Sequence, residues 1–108
     1  MDLVLKKLLE RYRNHERIYA WDIINEPEWA MTNVTGLSQR PKCVDDTVSI
    51  LPIDSAQMTD FVKEATNTIH MMNATQPVTV GSARKMWLSQ FWTDASLKLD
   101  LYQFHWYD

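Results

Sequence analysis

The sequence predicts an α/β domain in which parallel strands are joined by crossover helices. Three runs rich in β-branched and aromatic residues, near 18–24, 78–81 and 100–107, read as strands. Segments of helical periodicity separate them. The resulting order is helix, strand, long loop, helix, strand, helical segment, strand, and alternation of this kind implies parallel pairing. The first strand ends abruptly: Trp21-Asp22-Ile23-Ile24 runs into Asn25-Glu26-Pro27, and Pro27 has no N–H to give to a ladder. A carboxylate therefore sits at the carboxyl end of a buried strand, where α/β barrels carry their chemistry.

The elements follow in order. Residues 2–14 place Leu3, Val4, Leu5, Leu8, Leu9 and Tyr12 on one face of a helix, with Lys6, Lys7, Glu10, Arg11 and Arg13 on the other. Asn14-His15-Glu16 ends it, and the strand follows after a short connection. Residues 28–53 lack periodicity and contain Gly36, Pro41, Asp45-Asp46 and Pro52, so they read as a long loop forming one wall of a cleft beside Glu26. Asp54 or Ser55 caps the next helix, in which Met58, Phe61, Val62, Ala65, Ile69 and Met72 repeat at helical spacing. Gln76-Pro77 breaks it, and Val78-Thr79-Val80 is the second strand, with Gly81-Ser82 at its carboxyl end. Residues 84–98 read as a helix or two helical turns containing Met86, Trp87, Leu88, Phe91 and Trp92. Asp100 to Tyr107 supplies the third strand.

Length and composition bound the function. The chain has 108 residues, a net charge of −3 and a hydrophobic share of 45%, which is one domain at most. Its scattered Lys and Arg form no basic stripe, so no nucleic-acid partner is expected. No apolar run approaches the roughly 20 residues a bilayer span needs, so no membrane partner is expected either. The amphipathic amino-terminal segment does not read as a secretory signal. Cys43 stands alone, without an internal disulfide partner or metal-type spacing. Asn33-Val34-Thr35 and Asn73-Ala74-Thr75 fit the N-glycosylation triplet, which is short and common by chance. Five tryptophans are many for this length; core packing explains some, and a ligand groove explains others.

Side chains alternate across a strand, so Ala20, Asp22, Ile24 and Glu26 share one face of the first strand, and Gln103, His105 and Tyr107 one face of the third. If both faces point into a barrel, Glu26, His105 and Tyr107 converge at its mouth, with Ser82 between them. Asp22 reads as an interior carboxylate held by hydrogen bonds or a basic partner. Glu28 reads as a loop residue, and neither His15 nor His70 has partners that suggest catalysis.

Ile18 to Trp29 resembles the fourth strand of the clan A glycoside hydrolases, (β/α)8 TIM-barrel enzymes in which that strand ends in Asn-Glu-Pro. Val78 to Ser82 resembles the fifth strand. Tyr102 to Tyr107 resembles the sixth, with a His-x-Tyr signature at His105-Trp106-Tyr107. Two strand-end motifs in the right order, about 80 residues apart, are more specific than Asn-Glu-Pro alone. The chain is most similar to glycoside hydrolase family 5, the cellulase- and mannanase-like β-glycanases. The resemblance implies that Glu26 is the general acid/base, that Asn25 bonds the sugar 2-hydroxyl, that His105 binds the sugar, and that Tyr107 orients the nucleophile. Trp29, Trp87 and Trp106 are candidate stacking platforms for sugar C–H faces, and only Trp106 lies within a matching motif. The substrate would be a β-linked glucan or mannan, the chemistry needs no metal or organic cofactor, and the parent enzyme would be secreted.

A retaining glycosidase uses two carboxyl groups about 5 to 5.5 Å apart, and its acid can be kept protonated by partial burial beside the other carboxylate. The resemblance supplies only Glu26. The nucleophile would be a Glu after a seventh strand, so residues 1–108 are expected to be a fragment of one catalytic barrel, about two-fifths of a barrel of roughly 250 residues. Such a fragment is expected to be inactive alone and to be marginally stable, to self-associate through open barrel edges, or both. Two other readings stay open: a non-catalytic carbohydrate-binding or structural remnant, and an unrelated α/β module that assembles with a partner.

Overall fold

The computed structural model describes residues 4–32, 34 and 53–106. Strands β1 (Trp21–Asn25), β2 (Val78–Ser82) and β3 (Gln103–Phe104) form a parallel sheet in the order β1-β2-β3. Helices α1 (Leu5–Tyr12) and α2 (Ser55–Met71) pack together, and α2 also packs on β1 and β2. The chain is α/β, as the alternation of patterns predicts.

β2 is buried at every position. Its Val-Thr-Val run suits a central parallel strand, whose branched side chains fill space on both faces. Helix α2 begins with a capping box: the Asp54 carboxylate accepts from the Ala56 N–H at 2.7 Å, and the Gln57 side chain accepts from the Asp54 N–H at 3.2 Å. Met58, Val62, Ala65 and Ile69 form its buried stripe, and the buried Thr66 hydroxyl donates to the Val62 carbonyl. At the amino end of the sheet the buried Gln76 amide accepts from the Trp21 indole and donates to the Tyr12 and His15 carbonyls.

Four sequence expectations need correction. Helix α1 is shorter than residues 2–14, and only Leu9 of its apolar face is fully buried; Val4 and Leu8 stay exposed. With Phe61 they line an apolar groove of about 710 Å³ beside Trp21 and Ile23 of β1, since no described element lies over that edge of the sheet. The expected loop from 28 begins instead as a 3-10 turn, Pro27–Ala30, and Met31 is buried and bridged to Ile53. Val34 is also buried, while residues 35–52 and the Asn33 triplet position lie outside the described residues. The third strand is only Gln103–Phe104. Before it, the Asp100 and Leu101 N–H groups both donate to the Val78 carbonyl, and the Asp100 carboxylate accepts the Val78 N–H, so a side chain takes the place of a ladder carbonyl.

The fourth correction concerns residues 84–98. A single α-turn, Lys85–Trp87, widens into a π-helix, Leu88–Trp92, followed by a 3-10 turn at Ala95–Leu97. A π-helix bonds i to i+5, so Trp87 and Trp92, five apart, both point into the core and are fully buried. Ordinary helical spacing does not predict that pairing.

Asp100 also bonds the His70 ring at 3.0 Å. Burial pushes its carboxyl up, but the His70 and Val78 hydrogen bonds and the His70 charge together outweigh that and hold it below its ordinary value of 3.8. A carboxyl depressed on folding stabilises the fold above the unfolded pKa, and that contribution is lost as pH falls through the folded pKa. Asp100→Asn should therefore unfold at lower urea than the wild type at about pH 6, with the gap closing toward about pH 2. A gap independent of pH would contradict this assignment.

Candidate functional site

Glu26 adopts a left-handed backbone, φ 50° and ψ 49°. A non-glycine residue held there costs about 1 to 3 kcal/mol, and Pro27 further disfavours the right-handed helical alternative. The turn persists because tertiary bonds hold it. The Glu26 N–H donates to the Gly81 carbonyl at 2.6 Å, and the Trp29 N–H closes the turn on the Glu26 carbonyl.

The side chain of Glu26 is held at both oxygens. Oε2 accepts the Trp29 indole N–H at 3.0 Å, and Oε1 shares a proton with His105 Nδ1 at 2.6 Å. Side-chain exposure is 16% for Glu26 and 31% for His105, so the pair is sheltered yet reachable. The indole can only donate, which leaves Oε1 as the oxygen whose proton traffic the imidazole faces.

Gly81 is the floor of this site. A Cβ at that position would meet Asp22 Oδ2 at 3.0 Å, Asn25 Oδ1 at 3.2 Å and His105 Nε2 at 3.3 Å. Asp22 accepts the Gly81 N–H at 3.0 Å and the Gln103 side-chain N–H at 2.9 Å, so hydrogen bonds hold it in the manner the sequence suggests, although the residue as a whole is exposed. The pairing of β1 with β2 is irregular between Asp22 and Asn25. That irregularity breaks strict alternation and brings Asn25 onto the face of Asp22, where simple alternation opposes them.

Four expectations change at the site. Ser82 is not at the mouth. It follows Gly81 by one residue, so it faces the other side of the sheet, is fully buried, and bonds Glu28. Glu28 is no loop residue: it is completely buried and accepts from Ser82 Oγ at 2.6 Å, Trp92 Nε1 at 2.6 Å and the Ala83 N–H at 3.2 Å. Trp87 is no surface platform, being fully buried with its ring edge-on to Trp29 at 4.8 Å. Trp29 is half-buried, gives its N–H to Glu26, and lies under the Arg84 guanidinium at 5.6 Å. Trp106 is 78% exposed at the same end of the sheet. Tyr107 lies outside the described residues.

Glu28, Gly81 and Arg84 belong to the site although the sequence does not mark them as site residues. No local signal announces Glu28, because its three donors lie 54 to 64 residues away in sequence. Among the described residues no group of His, Cys, Asp and Glu could hold a metal ion, and no helix is long and apolar enough to cross a membrane. No family model matches the chain, and neither a curated protein nor a solved structure does.

Gly81→Ala should cost about 1 to 3 kcal/mol in urea unfolding, because overpacking displaces Asp22 and His105 together. An Ala variant as stable as the wild type would mean that the cluster over Gly81 is loose.

Proposed function

We propose that this chain is part of a retaining β-glycanase catalytic barrel, with β1, β2 and β3 as its fourth, fifth and sixth strands. The observation that carries the reading is Glu26: one carboxylate, at the carboxyl end of a parallel strand, sheltered and held by an indole and an imidazole. The similarity of Asn25-Glu26-Pro27 and His105-Trp106-Tyr107 to family 5 glycoside hydrolases supports the same assignment.

In this reading Glu26 gives its proton to the leaving oxygen as the glycosidic bond breaks, then takes a proton from the water that attacks the glycosyl-enzyme. His105 fixes the carboxyl through its Nδ1 contact and binds the sugar beside it. Asn25 bonds the sugar 2-hydroxyl, and the exposed Trp106 offers its ring to a sugar face. Asp22 keeps the floor rigid through Gly81 and Gln103. The nucleophile would come from a following strand, outside the described residues. The substrates would be β-linked glucan or mannan chains, and no cofactor enters the chemistry.

The test is titration with cellohexaose and mannohexaose, followed by tryptophan fluorescence. Saturable binding of one of them, weakened in Trp106→Ala and His105→Ala, is expected; no binding of either up to their solubility would overturn the reading. Aryl β-glycosides should not be turned over by the chain alone. Azide supplies an external nucleophile: its nitrogen bonds the anomeric carbon, the glycosidic C–O bond breaks, and the aryl oxygen leaves with the Glu26 proton. Azide-dependent release of phenol from an unactivated phenyl β-glycoside, whose poor leaving group needs the proton, should then fall about 100-fold or more in Glu26→Gln. Turnover without azide that Glu26→Gln abolishes would contradict the need for an external nucleophile.

β1 and β3 each have only one strand neighbour among the described residues. Unpaired edges favour association, so the sedimentation mass should rise with concentration; a monomer at all concentrations would argue against open barrel edges.

A further inference from the structure

Glu28 is the least expected group in the molecule, a fully buried carboxylate whose hydrogen-bond donors, Ser82, Ala83 and Trp92, are all neutral. Burying it is tolerable only because its oxygens receive well-placed donors. Those donors come from the end of β2 (Ser82, and Ala83 just beyond it) and from the π-helix (Trp92), whereas Glu28 itself belongs to the turn two residues after Glu26. The side chain therefore staples the Glu26 turn onto the carboxyl end of β2.

Ser82 holds the other half of the candidate site as well. Its carbonyl accepts the His105 N–H at 2.8 Å, while its hydroxyl lies 2.6 Å from Glu28 Oε1. The hydroxyl also lies 3.1 Å from the Arg84 carbonyl, but one hydrogen serves one acceptor at a time, and the shorter approach is to Glu28. Both members of the Glu26–His105 pair are thus referenced to one residue. His105 is set by the main chain of Ser82, and Glu26 by its side chain acting through Glu28.

We propose that Glu28 and Ser82 are positioning residues that fix the separation of Glu26 and His105 and aim the Trp29 indole at Glu26. Neither touches a reacting atom. The proposal deepens the glycanase reading and rests on it for the importance of Glu26, but the staple itself is tested without any carbohydrate.

The experiment uses the ¹⁵N-labelled chain and two resonances: the Trp29 indole N–H and the His105 Nδ1 nitrogen, each reporting one bond to Glu26. Glu28→Gln keeps the shape but places an amide N–H₂ where a carboxylate oxygen accepted a donor. Ser82→Ala removes the hydroxyl and leaves the main-chain bond to His105. Ile69→Val, in α2 and without a bond to either residue, controls for general loss of stability. The expected result is that Glu28→Gln and Ser82→Ala each move both resonances by more than a line width, while Ile69→Val moves neither. Wild-type resonances in a folded Glu28→Gln or Ser82→Ala chain would overturn the proposal. If Glu28→Gln does not fold, Ser82→Ala decides alone; loss of the fold in both variants would make the staple a fold determinant and also overturn it. Moved resonances in a chain that binds neither hexaose would keep the staple and remove the glycanase reading.

Discussion

The parallel pairing of β2 with its two neighbours is the constraint on which the rest of the molecule depends. β2 is buried along its whole length, and its last two residues divide the work between the faces of the sheet. Gly81 presents no side chain, so Asp22, Asn25 and His105 can close over it, 3.0 to 3.3 Å from where a Cβ would sit. Ser82 faces the helical layer and anchors Glu28. The main chain of the same two residues takes the Glu26 N–H and the His105 N–H. One strand end therefore fixes a carboxylate from the strand on one side and an imidazole from the strand on the other.

The cost of this arrangement is visible in the backbone. Glu26 lies in the left-handed region, and a residue stays there only when its surroundings over-determine it. Here those surroundings are a main-chain bond to Gly81, an indole bond from Trp29, the His105 contact and the buried Glu28. The Trp29 ring is itself fixed by the Trp87 edge and the Arg84 guanidinium. Tryptophans that the sequence offers as sugar platforms serve instead as the rigid wall behind the carboxylate. Only Trp106 stays well exposed.

How much of this was legible depends on whether the controlling interaction is local. β1 was readable because Ile23 and Ile24 favour strands and Pro27 ends the ladder, and α2 because Asp54 and Gln57 form a capping box within four residues. That Glu26 and His105 meet at one end of the sheet was readable from parallel strand order, although a left-handed turn and not simple alternation places Glu26 there. What failed was long-range or aperiodic. Glu28 is buried by partners 54 to 64 residues away, and no local pattern announces them. Trp87 and Trp92 share a face only because a π-helix replaces the ordinary helical repeat. β3 is shorter than its composition suggests because the Asp100 side chain takes over the Val78 N–H. Asn25 joins the face of Asp22 through an irregularity of pairing that strict alternation does not foresee.

The central claim is that Glu26 and His105 act as one unit held at the end of β2. The most direct measurement is their coupling free energy in unfolding, from a double-mutant cycle of Glu26→Ala and His105→Ala, in which the loss of the Trp29 acceptor cancels. A coupling of about 1 kcal/mol or more is predicted for a short, sheltered hydrogen bond. Additive effects, within about 0.3 kcal/mol, would mean that the two residues are neighbours without being partners.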